Sequence, residues 1–587
     1  MATPLAASDH QASPAASTAP RVLVLGGGFA GMFAAKALQR RLRRSAAVEL
    51  VNAVNYFVFQ PLLPEVAAGG VTTRDAVAPL RQLLPGVRVR QAQIHGVDAD
   101  AKTVTVFQGL QRRPTVLPYD HLVIALGQDT DLSAVPGLDA HALQMKTLAD
   151  AHRLRNHVID KLEHADITAL PEVKRELLTF VVIGGGFSGV ETIGEMRELI
   201  DRSLSYYPNV DRSEIRLLLI EYADRILAEM PESLAAYTVK SFARRDVEVR
   251  TGVGVREATG TQIVTTEGEV IGARTVVATI GAAPAALLRR MDLPTAAGGR
   301  IQVRRDLRVA GREDVWAIGD NALIPMVDAP EDRTDFAPPT AQFAVREATQ
   351  LADNLAATLQ GEATAPFEYK SRGAMASLGS MRGVAHVFGV KVKGFPAWVL
   401  WRTYYLGFMP GFATKIRVAM GWALDWIIGR STVQAGVSAR QTTRYVRYRA
   451  GDRVFEVGNR SNGFYIVVEG AFELRDTDPE TGEPRTRRVE AGGHFGERSL
   501  LGAGLRAADA RAVEDAVALV VEAEDFRRLV DHLPIMQGYF TAYAKAKGFD
   551  APRTAEDRGP ASKQELPAER KDAEADSQAA AEAPPAA

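Results

Sequence analysis

The chain has 587 residues, 46% hydrophobic and 24% charged, with a net charge of only −1. That length allows about four domains with sizeable cores, and the balanced charge supplies no basic field that would draw in nucleic acid. Cysteine is absent, which excludes disulfides, thiolate metal sites, iron–sulfur clusters and dithiol relays; the histidines form no H-x-x-x-H pair, so no metal is expected and redox chemistry falls to an organic cofactor.

Residues 1–20 are rich in Ala, Ser and Pro and lack the basic and apolar regions of a signal peptide, so they read as a disordered leader. No run of 18 uncharged apolar residues occurs, and no spanning helix is expected. At residue 21 the pattern sharpens to RVLVLGGGFAG. Four apolar residues run into Gly26, Gly28 and Gly31, and a helical stretch follows. Strand, glycine turn and helix form the dinucleotide fingerprint. Gly26 permits the tight turn, Gly28 the approach of a pyrophosphate, and Gly31 close packing of helix on strand. The second strand, 48–51, ends at Asn52, where an acidic residue would normally accept ribose hydroxyls. The amide oxygen can still do so, more weakly than a carboxylate. FAD is the expected nucleotide. A strand at 119–127, YDHLVIALG, closes this domain at Gly127.

A second fingerprint, FVVIGGGFSGVE, spans 180–191, with Gly184, Gly186 and Gly189 in the turn. Two phosphate cradles in one chain imply two dinucleotides, the layout of a flavoprotein that takes hydride from a nicotinamide. The following strand, 216–220, ends in Glu221. Its carboxylate suits a ribose 2′-hydroxyl and repels a 2′-phosphate, favouring NADH over NADPH, although Arg225 could blunt the preference. Residues 274–281, RTVVATIG, close the second domain as 119–127 close the first. Residues 314–322, DVWAIGDNA, then return to the first domain, where Gly319 and Asp320 suit the ribityl-phosphate of a flavin.

Here the chain resembles the type II NADH:quinone oxidoreductases, single-chain flavoenzymes that pump no protons. The resemblance rests on NYFVFQPLL at 55–63, on IGD at 318–320 and on PPTAQFAVREA at 338–348. It implies FAD in the first domain, NADH in the second and a membrane quinone as acceptor. It places Gln60 on the loop along the flavin and Ala341 and Gln342 in the quinone motif. Arg346 and Glu347 follow, Arg346 in place of that motif's second Gln. Glu191 matches a carboxylate near the nicotinamide and flavin. Glu191, Gln342 and Glu347 are therefore the expected catalytic residues. Glu195, one turn beyond Glu191, reads equally well as a solvated helix charge.

Residues 395–430 hold Trp398, Trp401, Trp422 and Trp426, four of the five tryptophans in the chain. Two helices broken at Pro410-Gly411 are predicted. In the second, Ile416, Met420, Ala423 and Ile427 recur at helical spacing, among Lys415, Arg417 and Arg430. Aromatic and basic residues on helices too short to span suit a monotopic anchor on the cytoplasmic face of a membrane.

From about residue 432 short alternating strands take over. FGE at 495–497 and RAA at 506–508 resemble the phosphate cassette of a cyclic-nucleotide-binding domain. The resemblance assigns Gly496, Glu497, Arg506 and Ala507 to the nucleotide, with Glu497 on the ribose and Arg506 on the phosphate. Ala507 offers no hydroxyl to a guanine amino group, which favours cAMP.

The expected fold class is α/β: two Rossmann-like dinucleotide-binding domains, a short amphipathic helical membrane segment and a C-terminal β-roll. The expected domains are a leader (1–20), an FAD-binding domain (21–150 and 291–365), an NADH-binding domain (151–290), a membrane-anchoring region (366–435), a cyclic-nucleotide-binding domain (436–547) and a disordered tail (548–587). A homodimer is expected. Two alternatives stand beside this reading. One is a soluble NADH-dependent flavoprotein with another acceptor. The other is a cyclic-nucleotide sensor whose oxidoreductase half is degenerate.

Overall fold

The chain forms two units, divided between Ala439 and Arg440. The computed structural model describes residues 19–546 apart from 110–112, 297, 329, 331–334, 380, 429–432, 434–442, 460, 478–482, 502–505 and 533. The expected leader (all but its last two residues), the tail and the Arg430 position lie outside them.

The first unit carries two five-stranded parallel sheets that share the order of four strands, while the remaining edge strand comes last in the chain in the first sheet and first in the second. In the first, the strands run in the order Val315–Ala317, His121–Ile124, Arg21–Leu25, Ala47–Asn52, Arg88–Gln91. In the second the order is Leu143–Gln144, Thr275–Ala278, Thr179–Ile183, Arg216–Glu221, Val247–Thr251. Every pairing within both sheets is parallel. Parallel strands are covered on both faces, so their sequences read as unbroken apolar runs; Val22–Leu25 and Phe180–Ile183 are buried throughout. The segment 315–317 pairs with 121–124, so the chain does return to its first sheet after completing the second.

Six helices position the site. Helix α1 (Phe29–Leu42) follows the first glycine turn, and the short α2 (Leu63–Ala67) follows the loop at Gln60. Helix α3 (Phe187–Ser203) follows the second turn, and α4 (Ala341–Gln360) packs against α1. A three-stranded antiparallel sheet, 373–394, leads directly into α5 (Phe395–Phe408) and α6 (Phe412–Ile428). Among the described residues no helix is long and apolar enough to cross a membrane.

Helix α3 departs from the amphipathic expectation. Thirteen of its seventeen residues are buried, Glu195 included. The reason is a second cover: a Cβ on Gly194 would lie 2.7 Å from the carbonyl carbon of Leu378. The antiparallel sheet thus closes the face that a two-layer fold would leave wet, and Glu195 is not a solvated helix charge.

The second unit holds two four-stranded antiparallel sheets. Phe455, Tyr465, Phe472 and Phe495, drawn from both sheets, share one core. Helices Ala523–His532 and Pro534–Ala546 follow, and Phe526 and Phe540 pack on Phe464.

Candidate functional site

Both glycine turns leave a helix start open. Gly26 has φ +101°, and a Cβ there would lie 2.2 Å from the Ala125 carbonyl oxygen. A Cβ on Gly31 would come within 1.9 Å of Gly26 O, whereas Gly28 has nothing within 4 Å of the same position. The second turn repeats this. Gly184 has φ +107°, Gly189 would meet Gly184 O at 1.8 Å, and Gly186 faces open space. Gly28 and Gly186 are the N-caps of α1 and α3, and neither helix has a side-chain cap. The first-turn amides therefore keep their donors for an anion. Two crowded glycines around one open glycine form the cradle that a dinucleotide pyrophosphate requires, and the residues present fit two such cofactors.

The strand-end residues hold the turns. Asn52 Oδ1 accepts from Gly27 N at 2.9 Å, and its Nδ2 donates to Val54 O at 2.9 Å. Glu221 accepts from Gly185 N at 2.5 Å and, through its other oxygen, from Ala223 N at 2.8 Å. Arg225 is tied to the carbonyls of Ala228 and Met230 at 2.6 and 3.2 Å.

Opposite the first turn lies the Gly319–Asp320 corner. Gly319 has φ +74°, and a Cβ there would lie 2.7 Å from the Ala30 methyl. Its N–H donates to Glu347 Oε2 at 2.7 Å. Asn321, which sequence reading passed over, locks the corner to the neighbouring strand: its Oδ1 accepts from Gly127 N at 3.0 Å and its Nδ2 donates to Ile124 O at 3.2 Å. Asp320 is half-buried, and desolvation raises its pKa against the pull of Lys146 and Arg300. Glu347 is fully buried and pushed up to about 8, mainly by desolvation, with the Gly319 N–H opposing.

Between the two turns is a cavity of about 350 Å³. Phe29 at the start of α1 and Phe187 at the start of α3 both line it, with Gln60, Glu191, Ala341 and Tyr405. Glu191 is 8% exposed. Its Oε1 accepts from Ser377 N at 3.0 Å and from Trp401 Nε1 at 2.9 Å. Desolvation raises its pKa to about 8; the two N–H donors oppose the shift, while Glu195 and Glu65 reinforce it. Gln342 and Glu347 do not line this cavity. Gln342 Oε1 accepts from Tyr369 Oη at 2.5 Å and from Arg372 N at 3.0 Å, and its Nε2 donates to Gly373 O at 3.2 Å. Arg346 lies 5.6 Å from the Tyr369 ring.

The C-terminal helices have two faces. Phe395, Phe412, Ile416 and Met420 are exposed, whereas Trp398, Trp401 and Trp422 are buried. These three tryptophans therefore do not form the interfacial belt that composition suggests. Each indole is turned inward, two of them by buried carboxylates: Trp401 Nε1 donates to Glu191 and Trp422 Nε1 to Glu65 Oε2 at 2.6 Å, while Arg402 Nη2 donates to Glu65 Oε1 at 3.0 Å. The side chains of Trp426 and Ile427 lie outside the described residues.

In the second unit Arg506 is buried and bound by its own chain. It donates to Gly496 O, Ser499 Oγ, Asn462 Oδ1 and Gly463 O at 2.8–3.0 Å and lies 3.9 Å from the Phe455 ring centroid. Gly496 has φ +91° and sits against that guanidinium. Glu497 is buried; one oxygen accepts from Tyr543 Oη at 3.1 Å and the other has no partner among the described residues. Ala507 is exposed.

Comparison with known proteins bears on both units. Residues 20–348 match the family model of the pyridine nucleotide-disulphide oxidoreductases, and residues 445–532 match the cyclic nucleotide-binding domain. A type II NADH:quinone oxidoreductase of Mycobacterium tuberculosis is 30% identical over 425 residues, covering 70% of this chain and 89% of the relative. One from Staphylococcus aureus is 32% identical over 381 residues, covering 64% and 91%. The solved NDH2 of Plasmodium falciparum bound to RYL-552 superposes with a TM-score of 0.65 at 19% identity, over 71% of this chain and all of that one, a likeness of fold. The sulfide:quinone oxidoreductase of Aquifex aeolicus gives a TM-score of 0.54 at 18% identity, over 70% and 96%.

Proposed function

The chain belongs to the pyridine nucleotide-disulphide oxidoreductase family and, within it, to the type II NADH:quinone oxidoreductases; on that premise we propose that it oxidises NADH and reduces a membrane quinone through bound FAD. The observation that carries this reading is that the first residues of both fingerprint helices, Phe29 and Phe187, line one cavity. Bound FAD supplies the hydride acceptor and the electron donor. The chain supplies binding, orientation and protons.

The open amides at Gly28 hold the FAD pyrophosphate, and those at Gly186 hold the pyrophosphate of NADH. Asp320 and Gly127 would meet the flavin nucleotide, and Asn52 braces the first turn. Glu221 accepts the adenosine 2′-hydroxyl and disfavours a 2′-phosphate, with Arg225 occupied elsewhere. Glu191 stands in the cavity with a pKa of about 8, so near neutrality it can both give and take a proton. Gln60, Ala341 and Tyr405, which line the same cavity, would meet the quinone. Gln342 and Glu347 act as braces, one for the segment 369–373 and one for the Gly319 corner. Anaerobic addition of NADH should bleach the yellow FAD-loaded protein, and menaquinone or ubiquinone analogues should restore the colour. Protein that binds no flavin would overturn the reading.

The exposed apolar face of α5 and α6 supports peripheral attachment to a membrane, read by co-sedimentation with vesicles, and we propose the cytoplasmic face as the side. A homodimer is tested by sedimentation velocity. For the second unit we infer a cAMP site that regulates activity or attachment. Support comes from one Glu497 oxygen and Arg506 Nε in the cassette, which have no partner among the described residues. Both Nη groups of Arg506 are held by internal acceptors and only Nε is left for a phosphate, so binding should be weak. Calorimetry with cAMP and cGMP tests it, and activity unchanged with cAMP bound would remove the regulatory role.

A further inference from the structure

The redox core and the C-terminal helices meet at two buried carboxylates, and each takes an indole N–H. Trp401 of α5 donates to Glu191, and Trp422 of α6 donates to Glu65. Arg402, next to Trp401, bonds Glu65 and lies 4.2 and 4.4 Å from the rings of Trp398 and Trp422. An indole is a donor with no acceptor and no accessible proton loss. It can orient a carboxylate and stabilise its charge, but it cannot relay a proton.

The geometry at Glu191 is one-sided. Ser377 N and Trp401 Nε1 both donate to Oε1. Oε2 has no partner among the described residues, and Glu191 lines the cavity. Two donors on one oxygen fix the plane of the group and leave the other oxygen for the proton. The Ser377 N–H is backbone and sits in a sheet strand. The Trp401 N–H is the one side-chain donor among the described residues, and it comes from a helix whose opposite side carries the exposed Val399.

We propose that Trp401 is a positioning residue for Glu191, holding Oε1 so that Oε2 carries the exchangeable proton toward the cavity, and that α5 thereby couples the apolar outer surface to the proton step. This rests on the reading of Glu191 as the group that handles the proton. The charged and titratable groups described around Glu191 are Glu195 on α3, Glu65 on α2 and Tyr405 on α5, and Lys146 lines the same cavity. The two glutamates disfavour its charged form, as burial does. Losing the Trp401 donor therefore moves its titration further up, by roughly one unit or more.

The test uses the full-length, FAD-loaded protein as wild type, Trp401→Phe, Glu191→Gln, and a form with 3-benzothienylalanine at position 401. The last keeps the bicyclic shape and replaces the N–H with sulfur, so it carries the test if Trp401→Phe loses flavin. Two quantities are followed against pH: the rate of flavin reoxidation by a soluble quinone, and the infrared carboxyl band assigned to Glu191 by its loss in Glu191→Gln. The expected result is an upward move of both midpoints, by about one unit, in both position-401 forms. A Glu191 band that titrates at its wild-type midpoint in those forms overturns the positioning role. A rate inflection that survives Glu191→Gln instead overturns the proton assignment, and the infrared band then decides the positioning question alone.

Discussion

The two dinucleotide halves share a plan and differ at one corner. Their sheets share the order of four parallel strands, and their glycines repeat the same three geometries. Yet the strand-end residue bracing the turn is Asn52 in one half and Glu221 in the other, each accepting from the second glycine of its turn. The comparison separates two functions that the fingerprint merges. Bracing the turn needs only an acceptor, which amide and carboxylate both supply. Setting a preference between a ribose hydroxyl and a phosphate needs charge, which only Glu221 has. The plan therefore fixes where a dinucleotide lies, and the corner residue fixes which one is tolerated.

The largest effect should come from breaking the plan in one half at a time. Gly26→Ala forces a Cβ against the Ala125 carbonyl at φ +101°, a strain of about 1–3 kcal/mol that nothing nearby relieves. FAD retention should fall roughly tenfold or more, giving pale protein by absorbance. Gly184→Ala places a Cβ 2.6 Å from Thr279 Oγ1 and should leave the protein yellow while weakening NADH by a similar factor in a flavin-bleaching titration. If Gly184→Ala loses flavin and Gly26→Ala loses only NADH, the assignment of cofactors to halves is reversed.

The next effect sharpens the comparison at two buried carboxyls. Glu191 at the second turn and Glu347 under the Gly319 corner are both pushed up to about 8 by burial, but only Glu191 lines the cavity. A carboxyl whose pKa is raised by folding above its ordinary 4.5 binds more protons folded than unfolded, so stability falls as pH climbs between those two values and levels off above the higher. Glu347→Gln should shrink the loss of melting temperature across that window by about 2 °C or more, measured by calorimetry at several pH values. Glu191→Gln should slow quinone reduction by about a hundredfold and flatten its pH dependence. Glu347→Gln with an unaltered melting profile would show that the Glu347 proton is not retained in the fold.

How far these features were legible follows from the distance between the residues that make them. The glycine turns were readable because each constraint lies within a few residues: Gly31 is crowded by Gly26, and Gly189 by Gly184. The return of 315–317 to the first sheet was readable because the strand and its Gly-Asp form one local signature. Asn321 was passed over although it adjoins Asp320, because its partners lie at Gly127 and Ile124. Glu195 could not be distinguished from a surface charge, since what buries its helix is a sheet nearly two hundred residues later in the chain. Tryptophan enrichment at 398–426 was visible, but its direction was not. Three indoles turn inward, two of them to Glu65 and Glu191, and no local periodicity reveals a carboxylate so far away in the chain.

The smallest predicted effect tests the corner itself. Glu221→Gln keeps an oxygen for Gly185 N–H but removes the charge, so the turn should persist while the discrimination against NADPH relaxes by roughly tenfold, the scale of one charged hydrogen bond. The readout is the ratio of kcat/KM for NADH and NADPH. Asn52→Asp is the reciprocal change, adding charge where FAD carries no 2′-phosphate to repel. It should tighten flavin retention by only a few-fold through a stronger bond to Gly27 N–H, measured by flavin release in mild urea. If Asn52→Asp instead weakens flavin retention, the first turn is holding more anionic charge near that corner than a ribose supplies. Bracing and selection would then be inseparable in the first half, however cleanly they separate in the second.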